Sequence, residues 1–204
     1  RFKNHIMQWP SPWGAGFPGW HIECSAISTT FLGQPFDIHA GGIDHIPVHH
    51  NNEIAQSEAA NKKPLARYWL HGEFLVVDEK RMGKSEGNFI TLQNLKTKGI
   101  NPLAYRYFVL GTHYRKKINF TWEGLRAAEN ALTKLSNEIN SLASLAKKTG
   151  TNGKGERGVA KEFLHRFKKA VDDDLNTPKA LSILWDTLKN QLLSAKTKLS
   201  LTLE

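Results

Sequence analysis

The 204-residue chain predicts an α/β fold: the second half of a doubly wound nucleotide-binding sheet, followed by an all-α region. Three observations carry that prediction. Between His21 and Val77, short apolar runs alternate with helical patterns, as in a parallel sheet with crossover helices. Past Asn88 the strand signals give way to short amphipathic helices. From Thr121 onward apolar residues recur at heptad spacing.

Taken in order, residues Arg1 to Gly19 are punctuated by Pro10, Pro12, Gly14, Gly16, Pro18 and Gly19, with Trp9 and Trp13 among them and Trp20 next. The expectation is a loop held down by buried aromatic rings. His21 to Phe31 suits a short helix and Phe36 to His39 a buried strand. Gly41-Gly42 is expected to turn the backbone sharply, and Pro47 to open a helix running to Asn61. Trp69 to Val77 reads as the next strand. In such sheets ligands sit at the carboxyl ends of the strands, where the Gly41–Asp44 turn and the Asp78–Lys84 loop are placed.

Residues 90–99 and 101–111 are expected as two short helices. His113-Tyr-Arg-Lys-Lys117 then sets aromatic beside basic residues, a pattern suited to phosphate contacts. Thr121 is an expected N-cap. Leu125, Leu132 and Ile139, with Ala128, Leu135 and Leu142, form an apolar seam of about three heptads. Thr149 to Gly158 is expected as a loop, and Phe163, Phe167, Ala170 and Val171 as a second stripe. Asp172–Asn176 breaks that helix. Thr177-Pro178 restarts it with an N-cap and an N1 proline, and Leu181, Leu184, Leu188 and Leu192 line the last helix. The expected division is 1–90, 91–118 and 119–204.

A formal charge of +9 points to a polyanionic partner. No apolar run approaches the roughly 18–20 residues of a membrane-spanning helix. A single cysteine excludes an internal disulfide and fits a reducing cytoplasm. Arg1 is not a start methionine, and both ends are expected to be cuts.

The richest stretch is Phe36 to Ala60, FDIHAGGIDHIPVHHNNEIAQSEAA. His49 and Glu53 stand four residues apart and so share a helix face. With Cys24 they make a donor set compatible with zinc, the thiolate favouring it over magnesium or calcium. The plainer alternatives are a buried apolar cysteine and a solvated His/Glu pair.

The segments PSPWGAGFPGWHIECSAIS, FDIHAGGID, HHNNEIAQSEAA, ARYWLHGEFL, RMGKSEGNF and DDDLNTPKAL follow one another as in the cysteinyl-tRNA synthetases, which the chain resembles over nearly its whole length. The resemblance implies a class I catalytic domain cut to its second half, a stem-contact region and a truncated anticodon-side bundle. It implies ATP-dependent activation of cysteine, with magnesium accompanying the ATP, and transfer to tRNA(Cys) by a cytoplasmic monomer without a membrane partner. It further implies that Cys24, His49 and Glu53 hold one zinc ion that recognises the substrate thiol, and that Trp20 lies against cysteine. Gly42 and Asp44 would follow the ATP ribose, and Lys84 would act on the ATP phosphates. His39 reads either as a contact to cysteine or adenylate or as a hydrogen-bonded core histidine.

Arg81-Met82-Gly83-Lys84-Ser85 matches the family's K-M-S-K-S loop at three of five positions. Arginine keeps the charge of the first lysine but not its geometry, and Gly83 in place of serine is expected to loosen the loop. Neither the family's H-I-G-H motif nor a fourth zinc ligand occurs in the chain, so that ligand is expected from outside it and the fragment alone is expected to be inactive. Two other functions remain open at this point: a cysteine ligase acting on an amino sugar, as in the mycothiol ligase, and a non-catalytic tRNA- or zinc-binding module.

Overall fold

The structure is a computed structural model; it describes residues 7–17, 19–148 and 155–203. The chain divides into two compact units, Arg1–Phe74 and Leu75–Glu204.

The first unit opens with β1 (Trp9–Ser11) paired antiparallel to β2 (Gly14–Gly16). This small hairpin replaces the expected irregular loop. Ser11 Oγ donates to the Gly14 carbonyl and accepts from the Trp13 N–H, which closes the turn. The tryptophans are not buried anchors: Trp9 is 52% exposed, Trp13 92% and Trp20 74%. A three-residue ladder has no apolar face wide enough to cover such rings. Helix α1 (Trp20–Leu32) packs on α2 (Asn51–Asn61), where Ser25 Oγ donates to Gln56 Oε1 at 3.0 Å.

Strand β3 (Phe36–Gly42) runs parallel to β4 (Ala66–Gly72), with α2 as the crossover between them. This is the β-α-β unit that the alternation predicted. Their register places His39 opposite Trp69 and Gly41 opposite His71. Phe36, Leu65 and Ala66 form the small core beneath, with Trp69 packed against it. After β3 the chain passes through a 3₁₀ turn (Ile43–His45) and a π-helical turn (Ile46–His50) before α2 begins. Pro47 lies in the π turn, so the regular helix starts later than its first-turn proline suggests.

Strand β4 ends at Gly72, so Trp69–Val77 is not one strand; β5 (Leu75–Val77) belongs to the second unit. There β5 pairs antiparallel with β6 (Lys80–Arg81) and parallel with β7 (Ile118–Phe120). Helix α3 (Leu92–Thr97) begins with a capping box between Thr91 and Asn94. Helix α4 (Pro102–Leu110) begins with an Asn101 cap and an early proline. Thr121 caps α5 (Trp122–Lys148), its Oγ1 accepting from the Gly124 N–H at 3.0 Å. Val77, Leu95, Ile100, Ala104, Phe120 and Leu125 make one core. Burying a side chain such as Leu125 contributes roughly 1.5–3 kcal/mol.

The heptad seam faces inward: Leu125, Ala128 and Leu142 are buried, and Leu132, Leu135 and Ile139 are half-buried. Of the expected 149–158 loop, residues 149–154 lie outside the described residues, whereas Glu156–Gly158 already belong to α6 (Glu156–Asp172). Phe163 and Ala170 are buried as expected, but Phe167 is exposed. Between α6 and α7 (Thr177–Lys189), Asp174 and Leu175 adopt positive φ, and the cap of α7 is Asn176 rather than Thr177. Asn176 accepts from the Lys179 N–H there. Helix α7 stops at Lys189, which leaves Leu192 exposed; Ala180, Ile183 and Leu193 fill the second core instead. Helix α8 (Ala195–Leu203) follows. No helix among the described residues is long and apolar enough to cross a membrane.

Candidate metal centre and signature loop

Parallel pairing sets the first site. Residues two apart on a strand share a face, so His39 and Gly41 of β3 and Trp69 and His71 of β4 line one side of the sheet. The π turn and α2 add His49, His50 and Glu53, and α1 adds His21 and Cys24. Gly41 is needed for space rather than for a turn. Its φ lies outside the left-handed region, but a Cβ there would meet His50 Cε1 at 2.6 Å and His45 Nδ1 at 2.8 Å.

Glu53 is the centre of this cluster and is fully buried. A buried carboxylate is costly unless it is paired. Its Oε2 is paired with His39 Nε2. His49 Nε2 stands 3.1 Å from Oε1, but off the angle a hydrogen bond needs, so Oε1 is buried with no hydrogen-bond partner. His49 Nδ1 lies 2.8 Å from His21 Nδ1, and His50 Nδ1 lies 2.8 Å from His71 Nε2. Each pair needs one ring nitrogen to donate and the other to accept. Burial, with repulsion from His39, lowers the His50 pKa to about 4, which keeps that ring neutral. Burial pushes the Cys24 thiol up, and the neighbouring Glu53 carboxylate adds to it.

Donor atoms of Cys24, His49 and Glu53 lie within 4.8 Å of one another. Those of His39, His50 and Glu53 do so as well, sharing the same carboxylate. The first set brings a soft thiolate donor, an imidazole and a carboxylate with an unpaired inner oxygen. Such a set supplies three of the donors a zinc site takes, which the ligand expected from outside the chain would complete.

Trp20, the first residue of α1, is exposed. His39 packs at a tilt against Trp69, ring centroids 4.7 Å apart, while its Nε2 serves Glu53. Asp44 lies in the first turn of the 3₁₀ element, and its Oδ1 occupies the space over Gly42, 2.3 Å from where a Cβ would be. Trp69, His71, His50 and His21 stand beside these residues although their sequence positions do not single them out. The available signal was a Trp-x-His pair on a strand expected to lie beside His39.

In the second unit Lys84 sits in an exposed turn after β6, its Nζ 5.7 Å from the centre of the Phe89 ring. Elsewhere in that unit, the 113–115 segment, half-buried at His113 and Tyr114 and exposed at Arg115, is tied down by Asp174. Arg115 holds its carboxylate through Nε and Nη2, and the Tyr114 hydroxyl donates to Oδ1. Arg115 thereby holds the Asp174 carboxyl below its ordinary pKa, and the carboxylate raises that of the guanidinium. Of the expected basic group, Lys116 and Lys117 stand exposed beside this pair.

A parallel β-α-β unit with a Cys/His/Glu donor set, followed by an R-M-G-K-S turn, is the arrangement of a class I aminoacyl-tRNA synthetase. The chain belongs to the family described as tRNA synthetases class I (C) catalytic domain, whose model matches residues 1–130; a DALR domain model matches residues 166–199. Among similar proteins is Cysteine--tRNA ligase 1 of Burkholderia lata, 50% identical over 193 residues, covering 94% of this chain and 39% of that protein. The Cysteine--tRNA ligase of Treponema denticola is 45% identical over 208 residues, covering 94% of the chain and 42% of its own length. That of Borrelia turicatae is 42% identical over 210 residues, covering 99% and 43%. The chain thus spans about two fifths of the length of these relatives. A solved structure of Agrobacterium radiobacter LeuRS in a ternary complex with tRNA and LeuAMS shares the fold at TM-score 0.74 and 15% identity, covering 97% of this chain and 31% of that one.

Proposed function

We propose that this chain works as part of a cysteine–tRNA ligase. The observation that carries the reading is the convergence of Cys24, His49 and Glu53 around an unpaired buried carboxylate oxygen, in a chain whose relatives bear that name. Cys24, His49 and Glu53 would hold zinc. Zinc so held supplies a Lewis-acid position that takes a thiolate and is poorly filled by a hydroxyl. A hydrophobic pocket alone separates such close analogues by only about 1–3 kcal/mol.

The chain's own residues do the rest. His39 keeps Glu53 oriented and, with Trp20, lines the space for the cysteine side chain. Gly42 and Asp44 line the ribose side of ATP. A cysteine carboxylate oxygen attacks the α-phosphorus, the bond to the β-phosphate oxygen breaks, and magnesium pyrophosphate leaves. Lys84 meets the negative charge that develops on the phosphoryl oxygens. A terminal tRNA hydroxyl then attacks the activated carbonyl, and AMP departs. Residues 1–90 would serve as the catalytic half, 91–118 as the stem contact and 119–204 as the anticodon-side bundle. Lys116 and Lys117 would meet backbone phosphates. The working location is the cytoplasm, the working form a monomer.

The test has two parts. Cobalt added to the purified chain should give a thiolate-to-cobalt charge-transfer band that Cys24→Ser removes. A chimera with this chain in place of the matched segment of the Burkholderia lata protein should charge tRNA(Cys) with cysteine and not with serine. Cysteine transfer to an amino sugar but not to tRNA would overturn the reading, as would a chain without the cobalt band.

A further inference from the structure

We propose that Asn88 is a positioning residue for Lys84, a clamp that closes the neck of the signature turn. The proposal rests on the reading of Lys84 given above. Its geometry is local. Asn88 Oδ1 accepts from the Gly83 N–H at 2.9 Å, and Asn88 Nδ2 donates to the Arg81 carbonyl at 3.0 Å. One planar amide therefore joins both sides of the turn, using its acceptor and one of its donors. Within the turn, the Glu86 N–H donates to the Gly83 carbonyl and the Gly87 N–H to the Lys84 carbonyl. Gly87 lies at φ +67, a left-handed conformation that brings the chain back so that Asn88 faces Gly83.

Gly83 is the weak point that the clamp offsets. Its φ is not left-handed, and a Cβ there would find no heavy atom closer than 3.5 Å. Neither conformation nor space therefore requires glycine, and its freedom is a cost in order. Lys84, which has to be aimed, follows directly. Asn88 holds the N–H of Gly83, the residue before Lys84, and Phe89, just after Asn88, carries the ring on which the Lys84 ammonium rests. The turn is thereby a closed unit with the cation at its tip. Its two ends are joined whether Lys84 rests on Phe89 or reaches a phosphate. Asn88 acts through Lys84 and touches no reacting atom, so its loss should reduce the catalytic rate more than ATP binding.

The first measurement is amide hydrogen exchange at Gly83 in the purified chain. Asn88→Ala should speed it by at least about tenfold, because the N–H loses its acceptor. Asn88→Asp keeps an acceptor and should retain most of the protection. The second is cysteine-dependent pyrophosphate exchange by the chimera described above. Asn88→Ala should lower kcat about ten- to a hundredfold while KM for ATP changes by less than about threefold, and Asn88→Asp should fall between. Should Asn88→Ala fail to fold, Asn88→Leu, which removes both the acceptor and the donor at similar volume, decides the matter by the same two readouts. Unchanged Gly83 exchange, or unchanged kcat in a chimera that Lys84→Ala slows, overturns the clamp. A chimera that Lys84→Ala leaves unaffected counts instead against the role of Lys84, and the exchange measurement still decides whether Asn88 holds the turn.

Discussion

The stretch from Trp20 to Gly72 and the helices beyond Thr121 are built on opposite terms. The helices follow local rules: Thr121 and Asn176 cap them, and apolar seams turn inward to bury Leu125, Ile183 and Leu188. The earlier stretch breaks those rules together. It buries a carboxylate, groups His21, His39, His45, His49, His50 and His71, enters α2 through a π turn, and closes the sheet against an imidazole that only glycine admits. Local conflicts of this kind are retained where a site needs them. The helical region follows its own local rules, whereas the histidine-rich region keeps conflicts that the proposed metal site would account for.

That contrast is sharpest in metal binding, where the largest effect is expected. Glu53→Ala or Cys24→Ala should reduce zinc affinity by more than about a hundredfold, since removal of even an outer partner costs ten- to a hundredfold. Metal analysis after dialysis against a zinc buffer measures it. Undiminished zinc in Glu53→Ala would dissolve the distinction, because the buried carboxylate would then have no binding role. Lys84→Ala should leave zinc content unchanged.

Much of this region was legible in the sequence because its signals are local. His49 and Glu53 are one helical turn apart, and the Cys24 helix and the β3-α2-β4 unit each announce themselves within a few residues. What was missed is non-local or depends on cover. Trp69 and His71 join the site only because β4 pairs with β3 in one particular register. Trp9 and Trp13 were expected to be buried, yet among the described residues the hairpin offers nothing that covers them. Leu192 continues the three- to four-residue spacing of Leu181, Leu184 and Leu188 but lies past the end of α7, where Leu193 turns inward instead. Gly41 was noticed for a conformation it does not adopt, and its actual reason, the ring of His50, is nine positions away.

Leu125→Ala tests the other side of the contrast. Leu125 is fully buried, so truncation should destabilise the second unit by about 2–5 kcal/mol, read from denaturant unfolding. Zinc content should not change. Equal loss of zinc and of helical stability would mean that the two regions do not answer separately.

A smaller effect is expected at Gly41. Gly41→Ala puts a methyl group 2.6 Å from His50 Cε1, against a ring that is itself buried and bonded to His71. Overpacking of this kind costs about 1–3 kcal/mol. Because the displaced ring neighbours His49, zinc affinity should fall with stability. A Gly41→Ala chain as stable as the original would show that the sheet yields at this point.

The smallest effect, with the opposite sign, is expected at Gly83, and it isolates what the two glycines do. Gly83 lies in the signature turn, its N–H held by Asn88, with no left-handed φ and ordinary van der Waals room for a methyl group beside Glu86 Cγ and Ser85 Oγ. Alanine keeps the N–H, so the bond to Asn88 survives. What changes is the unfolded chain, which loses backbone freedom it would otherwise regain. At compatible positions this stabilises by about 0.4–1 kcal/mol, so Gly83→Ala should raise the denaturation midpoint slightly and leave zinc content alone. Gly41→Ala and Gly83→Ala then differ in sign although the substitution is chemically the same. The difference comes from a histidine ring at one position and open space at the other. A destabilised Gly83→Ala chain, measured by the same denaturant titration, would mean that the turn needs a backbone conformation other than the one described, and the account of Asn88 as its clamp would have to be redrawn.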